Sequence, residues 1–230
     1  MIEILFVAAD LWMIFAGYYF GWKFIRKYHN YFFGIECMVV ATSGTNFLLW
    51  SLFSGDPNSI MYGLAYFFDA FSRSFGITLV LILGLLMVTH RYKPSIWVEV
   101  GAFALATAGG LYLRQFHQDG VLYPGPATFF IVTNVIASCF VFYFAMRLWR
   151  AGSRGLAVWT TFITLAAMVI AVTYDFLPFP FDDASRTYFY TAALGTWGTQ
   201  AFVYFLGYKA LHNHNAKVDA IATEKMGAMS

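Results

Sequence analysis

Charge is scarce in this sequence. Only 11% of its 230 residues are Asp, Glu, Lys or Arg, against roughly 25% in soluble domains. With 60% of residues hydrophobic and 21% aromatic, a soluble fold has no means of hiding the apolar surface, and that class is excluded. Cysteine is limited to Cys37 and Cys139, both inside apolar runs. That pattern excludes an extracellular disulfide framework and a zinc site, and the two thiols read as small apolar residues. The histidines, His29, His90, His117, His212 and His214, all fall in loops, helix ends or the tail. A haem or an intramembrane metal therefore lacks its usual ligands. A serine in TSGT (42–45) likewise lacks the base that would make it a nucleophile. No Gly-rich phosphate loop is present, and the H-x-H of 212–214 reads as a polar tail. No cofactor and no metal are expected. An enzyme, with a lipid-modifying one as its most concrete form, finds no complete catalytic constellation.

What is there is a succession of apolar runs. With about 20 apolar residues as the length needed to cross a bilayer, the runs predict seven membrane helices at about 4–22, 32–53, 60–88, 96–114, 126–148, 155–176 and 186–210. The expected fold is all-α, a polytopic seven-transmembrane-helix bundle in one domain (1–210), followed by a short tail (211–230). The first run lacks the basic start and small-residue cleavage site of a signal peptide and is expected to be the first span.

Orientation follows from the bases. Lys23, Arg26 and Lys27, then Arg91 and Lys93, then Arg147, Arg150 and Arg154, and finally Lys209, Lys217 and Lys225 all fall on one side. The other side carries Arg114 and Arg186 among Glu3, Asp56, Asp119, Asp175, Asp182 and Asp183. By the positive-inside rule the N-terminus is outside and the C-terminus cytoplasmic. The net charge of +2 is thus a sum over two opposed faces. The bases are spread over short loops, so no nucleic-acid partner is expected. The compact, short-looped chain suggests a plasma membrane, with the bacterial inner membrane as the expected setting.

Two connections are informative. SGDPNS (54–59) has the composition of a tight turn. The segment 175–186, DFLPFPFDDASR, alternates proline with phenylalanine. It reads either as interfacial aromatics at headgroup level or as a lid folded over the helix ends.

The stretch YFFDAFSRSFG (66–76) sets an acid and a base, Asp69 and Arg73, four residues apart inside the third run. At 1.5 Å per residue they lie roughly 13 and 19 Å below the outer surface, and Asp10 of the first span reaches roughly the depth of Asp69. The same counting brings Ser43 and Asn46 of the second span, Asn134 of the fifth, and Thr196 and Gln200 of the seventh into one slab. A lone charge at the bilayer centre costs at least about 2.5–3.5 kcal/mol, so such residues face a bundle interior and mark ligand, ion or proton paths. Asp69 and Arg73 offset one another. Asp10 has no named base within the membrane and is left protonated, hydrated or beside a bound cation. Asp10, Ser43, Asn46, Asp69, Arg73, Asn134, Thr196 and Gln200 are the candidate ligand- or ion-binding residues. The plainer alternative is that they are helix glue, at about 0.6 kcal/mol per hydrogen bond. Glu36 and Glu99, near basic loops, read as boundary ion pairs. The small residues of GAFALATAGG (101–110) read as a close-contact helix face.

Seven spans with an outside N-terminus share the outline of opsins, receptors and some small sugar carriers, but topology does not carry function. A retinal Schiff base is excluded because Lys209 lies roughly 35 Å from the outer end of its helix. The sequence therefore points to a transporter or channel for a small molecule, proton or cation, with acids that alternate between ionised and protonated states. The alternative is a ligand-binding receptor or an accessory subunit with a protein partner or a second copy. No proline interrupts a span, so the broken helices common in transporters are not expected.

Overall fold

The structure is a computed structural model. It describes residues 2–53, 55–56, 58–116, 121–176, 182–183 and 186–227. Among the described residues there are seven helices and no strand. They are α1 (Ile2–Tyr28), α2 (Tyr31–Phe53), α3 (Ile60–Thr89), α4 (Ile96–Leu113), α5 (Pro124–Arg150), α6 (Arg154–Phe176) and α7 (Thr187–Gly227). Helices α1 to α6 are long and apolar enough to cross a membrane, as in a multi-pass membrane protein. Helix α7, the seventh expected span, is not among them, because Thr191, Thr196, Thr199 and Gln200 dilute its first half. It is nevertheless built into the bundle, where Phe189, Ala193, Val203, Tyr204 and Tyr208 are buried. The helix then continues unbroken through residues 211–227, the segment read from sequence as a tail.

The connections decide the helix boundaries. Asn30 sits before α2, and its Oδ1 accepts the Phe33 amide at 3.0 Å, as an N-cap residue does. Its Nδ2 donates to the Gly84 carbonyl of α3 at 2.9 Å, so one fully buried side chain starts one helix and ties it to another. Ser59 caps α3 through the Tyr62 amide. Asp182 caps α7 with both oxygens, accepting from the Tyr188 and Phe189 amides at 2.9 Å each, and Asp183 takes the Thr187 amide at 3.0 Å.

Helix α3 is the axis of the bundle. It packs mainly against α2, α4, α5 and α7 and meets the end of α6 through Arg73, while α2, α1, α7, α6 and α5 follow one another around it and α4 rests chiefly against α3. Aromatic rings fill the middle: Phe24, Phe33, Phe144, Tyr204 and Tyr208 belong to one buried cluster. Leu11, Phe15 and Trp22 of α1, Ile136 of α5, and Phe162 and Val169 of α6 face outward and exposed. That is the arrangement expected where lipid replaces water around the bundle.

Backbone geometry departs from the α form at one place in α3. Residues Ser72–Val80 form π-helical turns without any proline. Such turns widen the helix and leave carbonyls poorly paired. Side-chain hydroxyls take up some of them: Ser74 Oγ donates to the Phe71 carbonyl at 3.2 Å, and Thr78 Oγ1 to that of Ser74. The helix stays continuous through this segment, which begins just after Asp69 and includes Arg73.

Candidate ligand-binding site

Arg73 is the centre of the site. Its side chain is 8% exposed and forms ion pairs with two carboxylates. One, Asp69 Oδ2, lies a helical turn earlier at 3.2 Å. The other, Asp175 Oδ2, comes from the end of α6. The guanidinium plane is held between two rings, its Cζ being 4.2 Å from the centroid of Phe130 on α5 and 3.9 Å from that of Tyr174 on α6. Tyr174 also donates its hydroxyl to Asp69 Oδ1 at 3.2 Å. Asn134 Nδ2 reaches the Arg73 carbonyl at 3.4 Å and that of Phe130 at 2.9 Å, so α5 supports the widened backbone as well as the side chain. Two carboxylates and two aromatic faces answer the desolvation of one buried cation.

The helices are staggered at this point. Arg73 lies about 20 Å along α3 from Ile60 at 1.5 Å per residue. Asp175 is nevertheless the penultimate residue of α6, and Tyr190 stands in the first turn of α7. Helix α3 thus rises past the ends of α6 and α7, leaving a recess. The recess is a cavity of about 340 Å³ at the end of the bundle where the chain begins, with Asp69, Arg73, Phe130, Tyr174 and Asp175 in its wall. Arg114, Tyr123, Arg186 and Tyr190 complete it.

Arg186 has an unusual position. Its φ of 55° lies in the left-handed region, uncommon for a residue with a Cβ. Its guanidinium lies 4.2 Å from the Phe189 ring centroid and 5.6 Å from that of Tyr174. Its Nε and Nη2 are buried with no hydrogen-bond partner among the described residues. The cavity wall therefore carries three arginines and two aspartates. Arg73 engages both acids, which leaves positive charge on Arg114 and Arg186 without an acidic partner among the described residues.

Beyond Arg73 the interior continues as two small cavities. One, of about 40 Å³, is bounded by Arg73, Asn134, Ser138, Thr164, Gln200 and Tyr204. The other, of about 50 Å³, is bounded by Glu36, Cys37, Trp197, Gln200 and Tyr204. Gln200 Nε2 donates to the Tyr204 hydroxyl at 2.8 Å, and that hydroxyl lies 2.8 Å from Thr164 Oγ1, so a polar chain runs between them.

The eight residues singled out from the sequence divide by location. Asp69, Arg73, Asn134 and Gln200 line the cavities or their floor. Asp10 is fully buried elsewhere, between α1 and α2, where a Cβ on Gly44 would come within 2.7 Å of its Oδ1. Asn46 Nδ2 donates to the Met61 carbonyl at 2.8 Å, fastening α2 to the start of α3. Ser43 and Thr196 are half-buried and outside all three cavities. Glu36 corrects its sequence reading as a boundary ion pair. It is 5% exposed, pressed against Gly76 of the π segment and without a basic partner among the described residues. Asp175, Tyr174, Phe130 and Arg186 join the site without having been singled out for it. The signal available for Arg186 was its isolation as one of two bases on an acidic side. Of the segment read as a lid, residues 177–181, 184 and 185 lie outside the described residues.

Compared with known protein families, with curated proteins and with solved structures, the chain matches none.

Proposed function

We propose that the chain is a transporter of small organic anions, which enter the cavity from the outer side of the membrane and are received by Arg186 and Arg114 above the Arg73 clamp. The observation that carries this reading is the cavity itself. Its 340 Å³ falls in the range of about 300–1,000 Å³ typical of small-molecule sites. It is walled by aromatic rings and carries two buried guanidinium nitrogens without a partner among the described residues. A carboxylate or phosphate group matches that fork of donors. The outward direction of the cavity rests on the positive-inside assignment.

A second reading, a receptor or subunit that binds the same ligand without moving it, is favoured by one observation. The floor is closed in this conformation, because Arg73 is clamped between Phe130 and Tyr174 and the spaces beyond, at about 40 and 50 Å³, are too small for a solute. In the transport reading the clamp opens when an anion competes with Asp69 and Asp175 for Arg73.

The test uses purified protein in proteoliposomes with radiolabelled acetate, lactate and glycerol phosphate as probes. Saturable uptake of one of them, lost in Arg186→Gln while the variant unfolds at the wild-type temperature, supports transport. Binding by equilibrium dialysis without uptake selects the receptor reading. Neither binding nor uptake of any probe overturns both.

A further inference from the structure

We infer that Glu36 is a proton-binding site inside the bundle, reached from the outer cavity through the two small internal cavities and connected to the Arg73 clamp by the π segment of α3. Glu36 is 5% exposed, and neither of its oxygens has a hydrogen-bond partner among the described residues. Its side chain abuts the second small cavity, of about 50 Å³, larger than the ~10–15 Å³ of probe-occupied space that one water requires. Gln200 and Tyr204 border this cavity and also its neighbour of about 40 Å³, whose far wall includes Arg73 and Tyr174. Those two residues in turn belong to the outer recess. The path consists of one water in each small cavity, held by the Gln200 and Tyr204 polar groups that border both, with the Tyr204 hydroxyl as the relay between them.

The surroundings select a proton over a metal cation. Facing Glu36 are Cys37 on its own helix, Ser72 and Gly76 on α3, Gln200 and Tyr204 on α7, and the apolar Met13 and Gly17 on α1. Among the described residues no arginine, lysine or histidine lines this cavity. One carboxylate, two hydroxyls and one amide fall short of the six or more oxygens that a hard cation gathers. A lone carboxyl in such a place is satisfied most simply by carrying a proton.

Connection to Arg73 follows from what the proton changes. An ionised carboxylate only accepts hydrogen bonds, whereas a carboxylic acid also donates one. The groups within reach are Ser72 Oγ, itself buried without a partner among the described residues, and the widened backbone around Gly76. Both belong to the π segment, which also includes Arg73. Loading and release of the proton thus alter hydrogen bonding on the turn that positions the clamp. The inference goes beyond solute transport, since its test reads the proton in the resting protein with no solute present.

The experiment is infrared difference spectroscopy of the full chain in lipid nanodiscs, stepped in pH and transferred from H2O to D2O. The expected result is a protonated carboxyl band that shifts in D2O, is lost in Glu36→Gln and persists in Asp10→Asn, the other fully buried acid. Glu36→Asp serves if the glutamine variant fails to fold, and it is expected to move the band rather than remove it. Tyr204→Phe is expected to slow deuterium exchange of the band at least tenfold. A band that survives in Glu36→Gln, or disappears on adding sodium at constant pH, overturns the assignment. A band that never exchanges overturns the path.

Discussion

Arg73 and Tyr174 lie face to face across the α3–α6 contact, with the guanidinium Cζ 3.9 Å from the ring centroid, while the same tyrosine donates to Asp69 at 3.2 Å. One side chain thereby touches both members of the ion pair. Removing only the hydroxyl, in Tyr174→Phe, is expected to cost about 1.5–3 kcal/mol, the range for a hydrogen bond to a charged group. Tyr174→Leu removes the aromatic face as well and is expected to lose about 2 kcal/mol more, the worth of a desolvated cation–π contact. Thermal unfolding in detergent separates them. Equal losses in the two variants would show that the stacked face contributes nothing.

Arg73→Gln leaves Asp69 and Asp175 facing a neutral amide. Breaking a buried pair from one side costs about 3–5 kcal/mol because the remaining charge loses its partner, so this variant is expected to be the least stable of the set. Adding Asp69→Asn and Asp175→Asn removes the stranded charge, and part of the loss is expected to return. A cycle of single and combined variants measures that recovery. Arg73→Lys is not a conservative control: an ammonium neither lies flat between Phe130 and Tyr174 nor offers two nitrogens to two acids.

The glycines of α3 make a sharper comparison. A methyl group at Gly76 would sit 2.5 Å from Glu36 Oε1, whereas one at Gly63 of the same helix would meet nothing within 4 Å. Gly76→Ala is therefore expected to destabilise by about 1–3 kcal/mol as an overpacked site, and Gly63→Ala to stabilise by about 0.5–1 kcal/mol through helix propensity alone. Melting temperatures that move in the same direction would contradict the tight contact between Glu36 and the π segment.

Asp69 and Arg73 were legible because an i,i+4 pair inside an apolar run has few places to go. Asn134 and Gln200, counted to the same slab, border the small cavity beside Arg73. Depth along a helix does not give rotation about it, which is why Asn46 is spent on the Met61 carbonyl and Thr196 lies outside the cavities. Nor does counting give the stagger between helices. Asp175 looks like a loop residue on α6, and only the rise of α3 past the α6 end brings it to Arg73. Glu36 was misread because its nearness in sequence to basic residues outweighed the glycine it presses on, forty residues later. The π turns carry no proline to announce them, and their hydroxyls, Ser74 and Thr78, resemble ordinary helix residues in a single sequence.

At the opposite end of the bundle Asn30 offers a test that separates its two roles. It is fully buried, its Oδ1 capping α2 through the Phe33 amide and its Nδ2 serving the Gly84 carbonyl. Asn30→Ala removes both and strands two backbone groups, an expected loss of about 2–4 kcal/mol at roughly 1–2 kcal/mol for each. Asn30→Asp keeps the capping oxygen but turns a second one, in place of a donor, toward the Gly84 carbonyl. It is expected to destabilise at least as much as alanine. Hydrogen exchange at the Phe33 amide should nevertheless stay slow in the aspartate variant and become fast in the alanine one. Fast exchange in both would mean that the α2–α3 tie, rather than the cap, holds the start of α2 in place.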